Sequence, residues 1–409
     1  MIYNPIEGKH IVLGITGGIA AYKAADLASR LVKAGALVDV IMTESAQQFV
    51  APLTFQALTH RPVVTGMFTL LAETEIGHVS LAKRADVMVV APATANTIAK
   101  LALGLADNML TTTALALTAP LLVAPAMEAA MWANEATQGH VAVLQSRGVT
   151  FVGPTEGRLA SGASGLGRMA EPADIYQAIS LLLARSGDLS GRTVLVTAGG
   201  TQEPIDPVRF IGNRSSGKMG YAVAEAARDR GASVILVSAP SSLTVPAGVT
   251  FCSIETAQEM ADVVMMHLPQ SDALIMAAAV SDYRPRHFVD QKIKKESHGD
   301  LEIALVRNPD ILAEVAQWRA DRARPVVIGF AAETQDLLDN AQQKLQRKRL
   351  DMIVANDVAA EGSGFGTDTN QVTLIGAGGA VDALPLLTKR EVAHCILDRL
   401  VGLLGGTVP

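Results

Sequence analysis

The chain has 409 residues, of which 49% are hydrophobic, 18% charged and 4% aromatic, with 34 Lys and Arg against 40 Asp and Glu for a formal net charge of −6. Such a length supplies two or three buried cores, and the composition excludes a long disordered chain and the strongly basic surface used to neutralise nucleic-acid phosphates. Only Cys252 and Cys395 are present, which excludes a disulfide scaffold and a multi-cysteine metal cluster and suits a reducing compartment.

The first element is an apolar run from His10 to Ile15, read as a strand, followed by Thr16-Gly17-Gly18. Ala20 to Ala34 has helical spacing, Gly35 stops it, and Leu37 to Met42 reads as a second strand. Arg192 to Thr197, Ala198-Gly199-Gly200, a helical stretch from Met219 to Arg230, Gly231 and Ser233 to Val237 repeat the same order. Strand, glycine-rich turn, helix, glycine stop and strand make a parallel βαβ unit. The runs Val87–Val90, Leu121–Ala124, Leu274–Ala278, Val326–Gly329 and Met352–Ala355 are apolar without alternation, as in strands buried on both faces. The expected fold class is α/β, with two doubly wound, Rossmann-like domains. The small, polar segment Arg185–Gly191 marks the boundary, giving domains of residues 1–190 and 191–409. The last residues, Val401 to Pro409, are expected to fray.

No apolar run reaches the ~18 residues that span a bilayer. Pro5, Glu7 and Lys9 precede the first apolar run, so the N-terminus does not read as a signal peptide. A cytoplasmic protein without membrane or nucleic-acid partners is expected.

Gly17-Gly18-Ile19 ahead of a helix places free backbone N–H groups where a phosphate binds, or makes a plain tight turn. Thr43 and Ser45 follow the second strand, and Pro92, Thr94 and Asn96 follow Val87–Val90. All lie at carboxyl ends of parallel strands, where open α/β sheets bind ligands. His78 is either a packing histidine or a functional one, and Met127 and Trp132 are either core or cofactor wall. The glycine-rich stretch Gly153–Pro172 reads as a lid or a long connection. A nicotinamide enzyme would need a GxGxxG turn; Glu44 offers an acid, but the turn is wrong.

In this order, Gly17–Ala20, His78, the Pro92–Asn96 loop, Pro125-Ala-Met127 and the loop reaching Gly167-Arg-Met169 resemble the flavoprotein decarboxylases that act on C-terminal or acyl cysteines. The resemblance implies FMN as cofactor and the His78 imidazole as base or positioner. Two positions depart from that family. Glu128 stands where it has Asn, whose amide holds the substrate carboxylate, and Ser161 where it has a proton-donating Cys. An ionised Glu128 would repel the carboxylate unless burial keeps it protonated, and a serine hydroxyl is a far weaker acid than a thiol. Either protonated Glu128 takes over the acid duty beside Ser161, or this half binds flavin with weak or no decarboxylation, as in a regulatory flavoprotein.

The second half carries Thr197–Thr201, Pro204–Gly220 including Asn213 and Ser215-Ser-Gly-Lys218, Met276-Ala277-Ala278, Asp282 and a lysine run Lys292, Lys294, Lys295. Ser-Ser-Gly-Lys opening a helix is a fair anion site but not a Walker A motif, and the lysine run by itself reads equally as a solvated face. Asn308-Pro309-Asp310-Ile311 reads as a helix start, Phe330 follows a strand, and Lys344 and Lys348 share a helix face. As a set these motifs are similar to phosphopantothenate–cysteine ligases. Fused behind the flavoprotein half, they resemble the bacterial bifunctional enzymes of coenzyme A biosynthesis over nearly the whole chain. The resemblance implies substrates 4'-phosphopantothenate, cysteine, CTP with Mg2+, and phosphopantothenoylcysteine as the intermediate product. Asn213 then assists the acyl-cytidylate, Lys292 closes over it, and Met276 to Ala278, Asp282, Asn308 to Ile311, Phe330, Lys344 and Lys348 contact the nucleotide. It gives no magnesium ligands. It also implies a homo-oligomer built from trimeric flavoprotein domains and dimeric ligase domains, together a dodecamer.

Overall fold

The computed structural model describes residues 3–67, 77–294, 302–320, 322–333, 337–357 and 366–406. The chain forms two compact units, one of Asn4–Leu183 and one of Ala184–Pro409 to which Tyr3 also belongs. Both are α/β. Among the described residues no helix is long and apolar enough to cross a membrane.

In the first unit, β1 (His10–Ile15), β2 (Leu37–Met42), β3 (Val63–Val64), β4 (Val87–Ala93), β5 (Leu121–Pro125) and β6 (Thr150–Phe151) form a parallel sheet in the order β3-β2-β1-β4-β5-β6. Period-two geometry explains why β1 is apolar throughout: Ile11, Leu13 and Ile15 enter the core on one face, and Val12 enters the core on the other. Burying each such side chain is worth roughly 1.5–3 kcal/mol. Gly14 faces Leu110, where a Cβ would lie 2.7 Å from the Leu110 side chain. The helix α1 (Ala21–Lys33) buries Ala24, Leu27, Ala28 and Leu31, the stripe of a 3.6-residue period. The other helices are α2 (Pro52–Thr59), α3 (Gly77–Arg84), α4 (Ala95–Leu103), α5 (Met109–Leu115), α6 (Ala129–Ala133), α7 (Glu135–Ser146) and α8 (Pro172–Ala184). The glycine-rich stretch is not a plain connection. It is an antiparallel hairpin of β7 (Thr155–Arg158) and β8 (Ser164–Arg168).

The second unit has an eight-stranded sheet. Parallel β13 (Thr250–Ser253), β12 (Ser233–Ser238), β9 (Thr193–Ala198), β14 (Ala273–Met276), β17 (Val326–Glu333) and β18 (Met352–Asp357) continue into antiparallel β20 (Val372–Gly376) and β21 (Val381–Ala383). Three small antiparallel pairs stand beside it: β10 (Gln202–Pro204) with β11 (Phe210–Gly212), β15 (Tyr283–Pro285) with β16 (Leu305–Arg307), and β19 (Thr369–Asn370) with β22 (Leu387–Thr388). Helices α9 (Lys218–Asp229), α10 (Ala257–His267), α11 (Ile311–Arg319), α12 (Leu337–Arg347) and α13 (Lys389–Leu403) complete it.

One expectation changes. The C-terminus does not fray at Val401: α13 runs to Leu403, and Val401 is buried in the core of the second unit. The stretch after α8 is packed into the second unit. Leu189 is fully buried, and Asp188 pairs with the buried Arg230.

Candidate functional site

Strand order reverses between β1 and β4, with β2 and β3 on one side and β5 and β6 on the other. That is a topological switch point, where loops at the carboxyl ends diverge and leave a crevice. Thr16, fully buried, fastens the two loops there: its hydroxyl donates to the Pro92 carbonyl at 2.8 Å and accepts from the Thr94 N–H at 3.1 Å. A cavity of about 530 Å³ opens beside them, with Gly17, Gly18, Ile19, Thr94, Met127 and Glu128 in its wall.

The wall has three chemical parts. Ile19, Tyr22 and Met131 are large, exposed apolar side chains, joined by Met127 and Leu159. At the start of α1 the N-cap is Ala20, with no side-chain cap; the Ala21 and Lys23 N–H groups turn back to the Gly18 and Ala20 carbonyls, and the positive helix end favours an anion. The charged part is Lys23, 8% exposed, whose ammonium donates to Glu171 at 2.9 Å and lies 3.5 Å from the Met169 carbonyl. The Lys23 hydrogen bond holds Glu171 below the usual carboxylate range. Arg168 adds a second ion pair to Glu171 at 2.8 Å.

Thr94 and Glu128 are in the wall, whereas Thr43, Ser45, Pro92, Asn96, Ser161 and His78 stand outside the lining. Ser45 supports Gly17 from behind: a Cβ on Gly17 would come 2.3 Å from the Ser45 Cβ. Thr43 caps the short 3-10 turn carrying Ser45, accepting from Ala46 N–H. Thr94 caps α4 by accepting from Thr97 N–H, Pro92 follows a cis peptide bond, and Asn96 is exposed in the first turn of α4. Glu128 occupies the N-cap position of α6, yet its carboxylate makes no cap hydrogen bond. Ser161 is exposed at the tip of the β7–β8 hairpin, its hydroxyl 3.4 Å from the Ala163 N–H it accepts. His78 lies within the first turn of α3, half-buried, rather than ahead of the helix, and does not line the cavity.

In the second unit the corresponding switch point lies between β9 and β14. Thr197 ties the two strand ends, accepting from the Ala278 N–H at 3.1 Å, and Ala279 N–H donates to the Gly199 carbonyl at 2.8 Å. Met276, Ala278, Asp282, Asn308 to Ile311, Phe330, Lys344 and Lys348 all line one cavity of about 640 Å³. Four cations, Arg307, Lys344, Arg347 and Lys348, face two carboxylates, Asp282 and Asp310, on its wall, a balance that favours an anionic ligand. Lys344 donates to the Phe330 carbonyl at 2.8 Å, and Lys348 pairs with Asp310, which also caps α11. Asn308 is fixed from both ends, donating to the Ser281 carbonyl at 2.8 Å and accepting from Arg284 at 3.0 Å.

Ala277 belongs to the same loop without lining the cavity. The Asn213 backbone lies over Gly200, where a Cβ would meet its carbonyl at 2.8 Å, while Lys292 is exposed on the segment after Val289. Lys295 and Thr334 lie outside the described residues. Tyr22, Lys23, Met131, Arg307 and Arg347 had escaped sequence reasoning. Lys23 did leave a signal: it is a charged residue on the buried stripe of α1, one turn past Gly18-Ile19.

Two strand-end cavities, one mainly apolar beside an uncapped helix start and one more polar and rich in cations, define an α/β enzyme with two separate centres. Residues 3–183 match the flavoprotein family, and residues 189–403 match the family described as the DNA/pantothenate metabolism flavoprotein C-terminal domain. The chain is 46% identical over 401 residues to the coenzyme A biosynthesis bifunctional protein CoaBC of Vibrio vulnificus (strain CMCP6), covering 98% of this chain and 99% of that protein. It is likewise 46% identical over 401 residues to the CoaBC of Bacillus subtilis (strain 168), covering 97% and 98%. Among solved structures, the C-terminal domain of a CoaBC protein aligns at 43% identity with a TM-score of 0.46, covering 54% of this chain and 99% of that one. The chain belongs to the CoaBC family of coenzyme A biosynthesis bifunctional proteins. It is a bifunctional enzyme with decarboxylase and ligase roles, and the match across both halves favours this over a ligase carrying an inactive flavoprotein half.

Proposed function

We propose that the second unit joins cysteine to 4'-phosphopantothenate with CTP, through an acyl-cytidylate, and that the first unit, with FMN, decarboxylates the phosphopantothenoylcysteine to 4'-phosphopantetheine. What carries the assignment is the pair of strand-end cavities, one walled mainly by apolar side chains beside the start of α1, the other more polar and lined by Arg307, Lys344, Arg347 and Lys348. The first suits a flavin mononucleotide. Ile19, Tyr22, Met127 and Met131 offer apolar surface to a ring system, and the positive start of α1 favours a phosphate. The nearest atom to a Cβ built on Gly18 is the Thr94 methyl, at 4.0 Å, so the backbone there leaves room for close approach. FMN, when bound, supplies the two-electron oxidation of the substrate's cysteine thiol and returns the electrons after carbon dioxide leaves.

The chain's own residues then hold and protonate. Glu128 is the carboxyl on the cavity wall, so it donates the proton that a cysteine supplies in related flavoprotein decarboxylases, with Ser161 at the nearby hairpin tip. His78 acts as base or positioner. It is not on the cavity of its own chain, which supports a homo-oligomer in which α3 of a second copy completes the site. Trimeric flavoprotein units and dimeric ligase units together make a dodecamer.

In the ligase unit, Lys344, Lys348, Asp282 and the Asn308–Ile311 loop bind CTP, Asn213 assists the acyl-cytidylate, and Lys292 neutralises charge developing on its phosphates. The cysteine amine attacks the activated carboxylate and CMP leaves. Among the described residues no three His, Cys, Asp or Glu side chains cluster to hold a metal. Mg2+ comes with the triphosphate, as such ions commonly do. The enzyme works in the cytoplasm on these small molecules. Lys292→Gln tests the ligase assignment: adduct formation should fall sharply while decarboxylation of supplied adduct stays normal, and normal ligation would remove Lys292 from the reaction. Glu128→Ala tests the other half, because decarboxylation at the wild-type rate would rule out Glu128 as the acid.

A further inference from the structure

Asp206 sits in the turn between β10 and β11 and is 2% exposed. A carboxylate is that deeply buried only when its lone pairs are taken up. Its two oxygens serve different parts of the chain. Oδ1 accepts the N–H groups of Val208 and Arg209, both at 2.9 Å, and so builds the turn itself. Oδ2 accepts Arg209 Nε at 3.0 Å and, across 87 residues of sequence, the Ile293 N–H at 3.2 Å. The same Arg209 guanidinium donates to the Ile293 carbonyl at 3.1 Å. On the other side of Lys292, Val289 N–H donates to the Ile205 carbonyl at 3.1 Å. The backbone is therefore pinned at residues 289 and 293, with the exposed Lys292 between the pins. The Arg209 side-chain hydrogen bond first, then those from the Val208, Ile293 and Arg209 N–H groups, hold the Asp206 carboxyl well below the usual carboxylate range, so the anchor stays ionised wherever the enzyme works.

We infer that Asp206 is a positioning residue for ligation: through Oδ2 and Arg209 it fixes the peptide on which Lys292 is carried. The inference rests on the ligation role proposed for Lys292. A turn needs only Oδ1; nothing about the β10–β11 hairpin requires the second oxygen to reach residue 293. Preorganised charge is effective because it needs no rearrangement at the moment of reaction, and a lysine on an unpinned segment loses that advantage.

The test is a double-mutant cycle in the full-length enzyme, following single-turnover and steady-state ligation of phosphopantothenate and cysteine with CTP. Asp206→Asn keeps one acceptor for the turn but presents an NH2 donor to Arg209 and the Ile293 N–H. Ligation kcat should fall about 100-fold, the size expected for a displaced catalytic group, with KM for cysteine changed much less. Trypsin should cut after Lys292 faster than in the wild type. In a Lys292→Gln background, Asp206→Asn should add nothing, and Asp206→Glu should recover part of the loss. If Asp206→Asn folds poorly, as judged by its melting temperature, Ile293→Pro removes the same hydrogen bond from the other partner and should reproduce the kcat loss. Equal losses from Asp206→Asn in both backgrounds, or wild-type ligation by either variant, would overturn the positioning role. Wild-type ligation by Lys292→Gln alone would instead overturn the role of Lys292, a distinguishable failure.

Discussion

Arg230 Nε donates to Asp188 Oδ1 at 2.9 Å across 42 residues of sequence, with the guanidinium buried out of reach of water. Nη2 donates to the other Asp188 oxygen, Nη1 donates to Asp398 and to the His394 carbonyl, and the Tyr3 ring lies 5.7 Å away. Asp188 comes from the stretch after α8, so this pair makes that stretch part of the second unit. A buried charge that loses one partner stays costly even when another remains. Asp188→Ala should therefore destabilise the second unit by about 3 kcal/mol, read as a lowered denaturation midpoint with an unchanged slope. A loss within ~0.5 kcal/mol, the range of a surface substitution, would make the pair incidental.

His394 lies beside this cluster, 2% exposed, and among the described residues neither ring nitrogen has a hydrogen-bond partner. Burial first, then the charges of Arg390 and Arg230, lower its pKa to about 4; Asp229 and Asp188 oppose them weakly. The folded state therefore keeps it neutral while the unfolded chain protonates near 6.5. Between pH 6.5 and 4 the unfolded state binds more protons, so stability should fall as pH falls through that window, by up to about 3 kcal/mol. Urea melts from pH 7 to 4.5 on wild type and His394→Phe check this: the variant should lose most of the slope over that interval, and an unaltered slope would assign it to other groups.

Gly17 bears directly on flavin retention. An added methyl would lie 2.3 Å from Ser45 Cβ and 3.0 Å from the Ser45 carbonyl carbon, so the loop must move. Overpacking of this kind costs about 1–3 kcal/mol, which at a binding loop is roughly 10–100-fold in affinity. Gly17→Ala should leave gel filtration with much less FMN per chain than wild type, while ligation is unchanged. Full flavin content would mean that the loop yields without loss.

Lys344 tests the cationic cavity. Its ammonium donates to the Phe330 carbonyl at 2.8 Å, which aims it along the cavity wall. Lys344→Met keeps most of the apolar stem and removes the charge. The KM for CTP should rise about tenfold, the effect of losing one charge-assisted contact of about 1.4 kcal/mol. An unchanged KM would place the nucleotide elsewhere.

Much of this was legible in the sequence because buried parallel strands leave unbroken apolar runs. His10–Ile15 and Arg192–Thr197, each followed by glycines, located both switch points, and the residues named for the nucleotide, Ala277 and Lys292 apart, line one cavity. The β7–β8 hairpin was not legible: Thr155–Arg158 and Ser164–Arg168 have no apolar alternation and several glycines. The hairpin is held through Gly167, where a Cβ would strike the Met127 carbonyl at 2.2 Å, a tertiary contact that local pattern does not encode. The Asp188–Arg230 pair was hidden for the same reason: a charged residue in a polar stretch looks solvated until its partner arrives from elsewhere in the chain. Val401 lies among the last residues of the chain, where fraying is the default expectation, yet α13 carries its apolar face through that position.

One assay reaches the central claim that a single chain runs both reactions. Purified, FMN-loaded enzyme is given 4'-phosphopantothenate, cysteine and CTP, and CMP, the cysteine adduct and carbon dioxide are followed together. The expected result is CMP release matched to adduct formation, then carbon dioxide in step with disappearance of the adduct. Adduct that accumulates without carbon dioxide on the flavin-loaded protein would contradict the account and leave Glu128 and Ser161 as the marks of a lost activity.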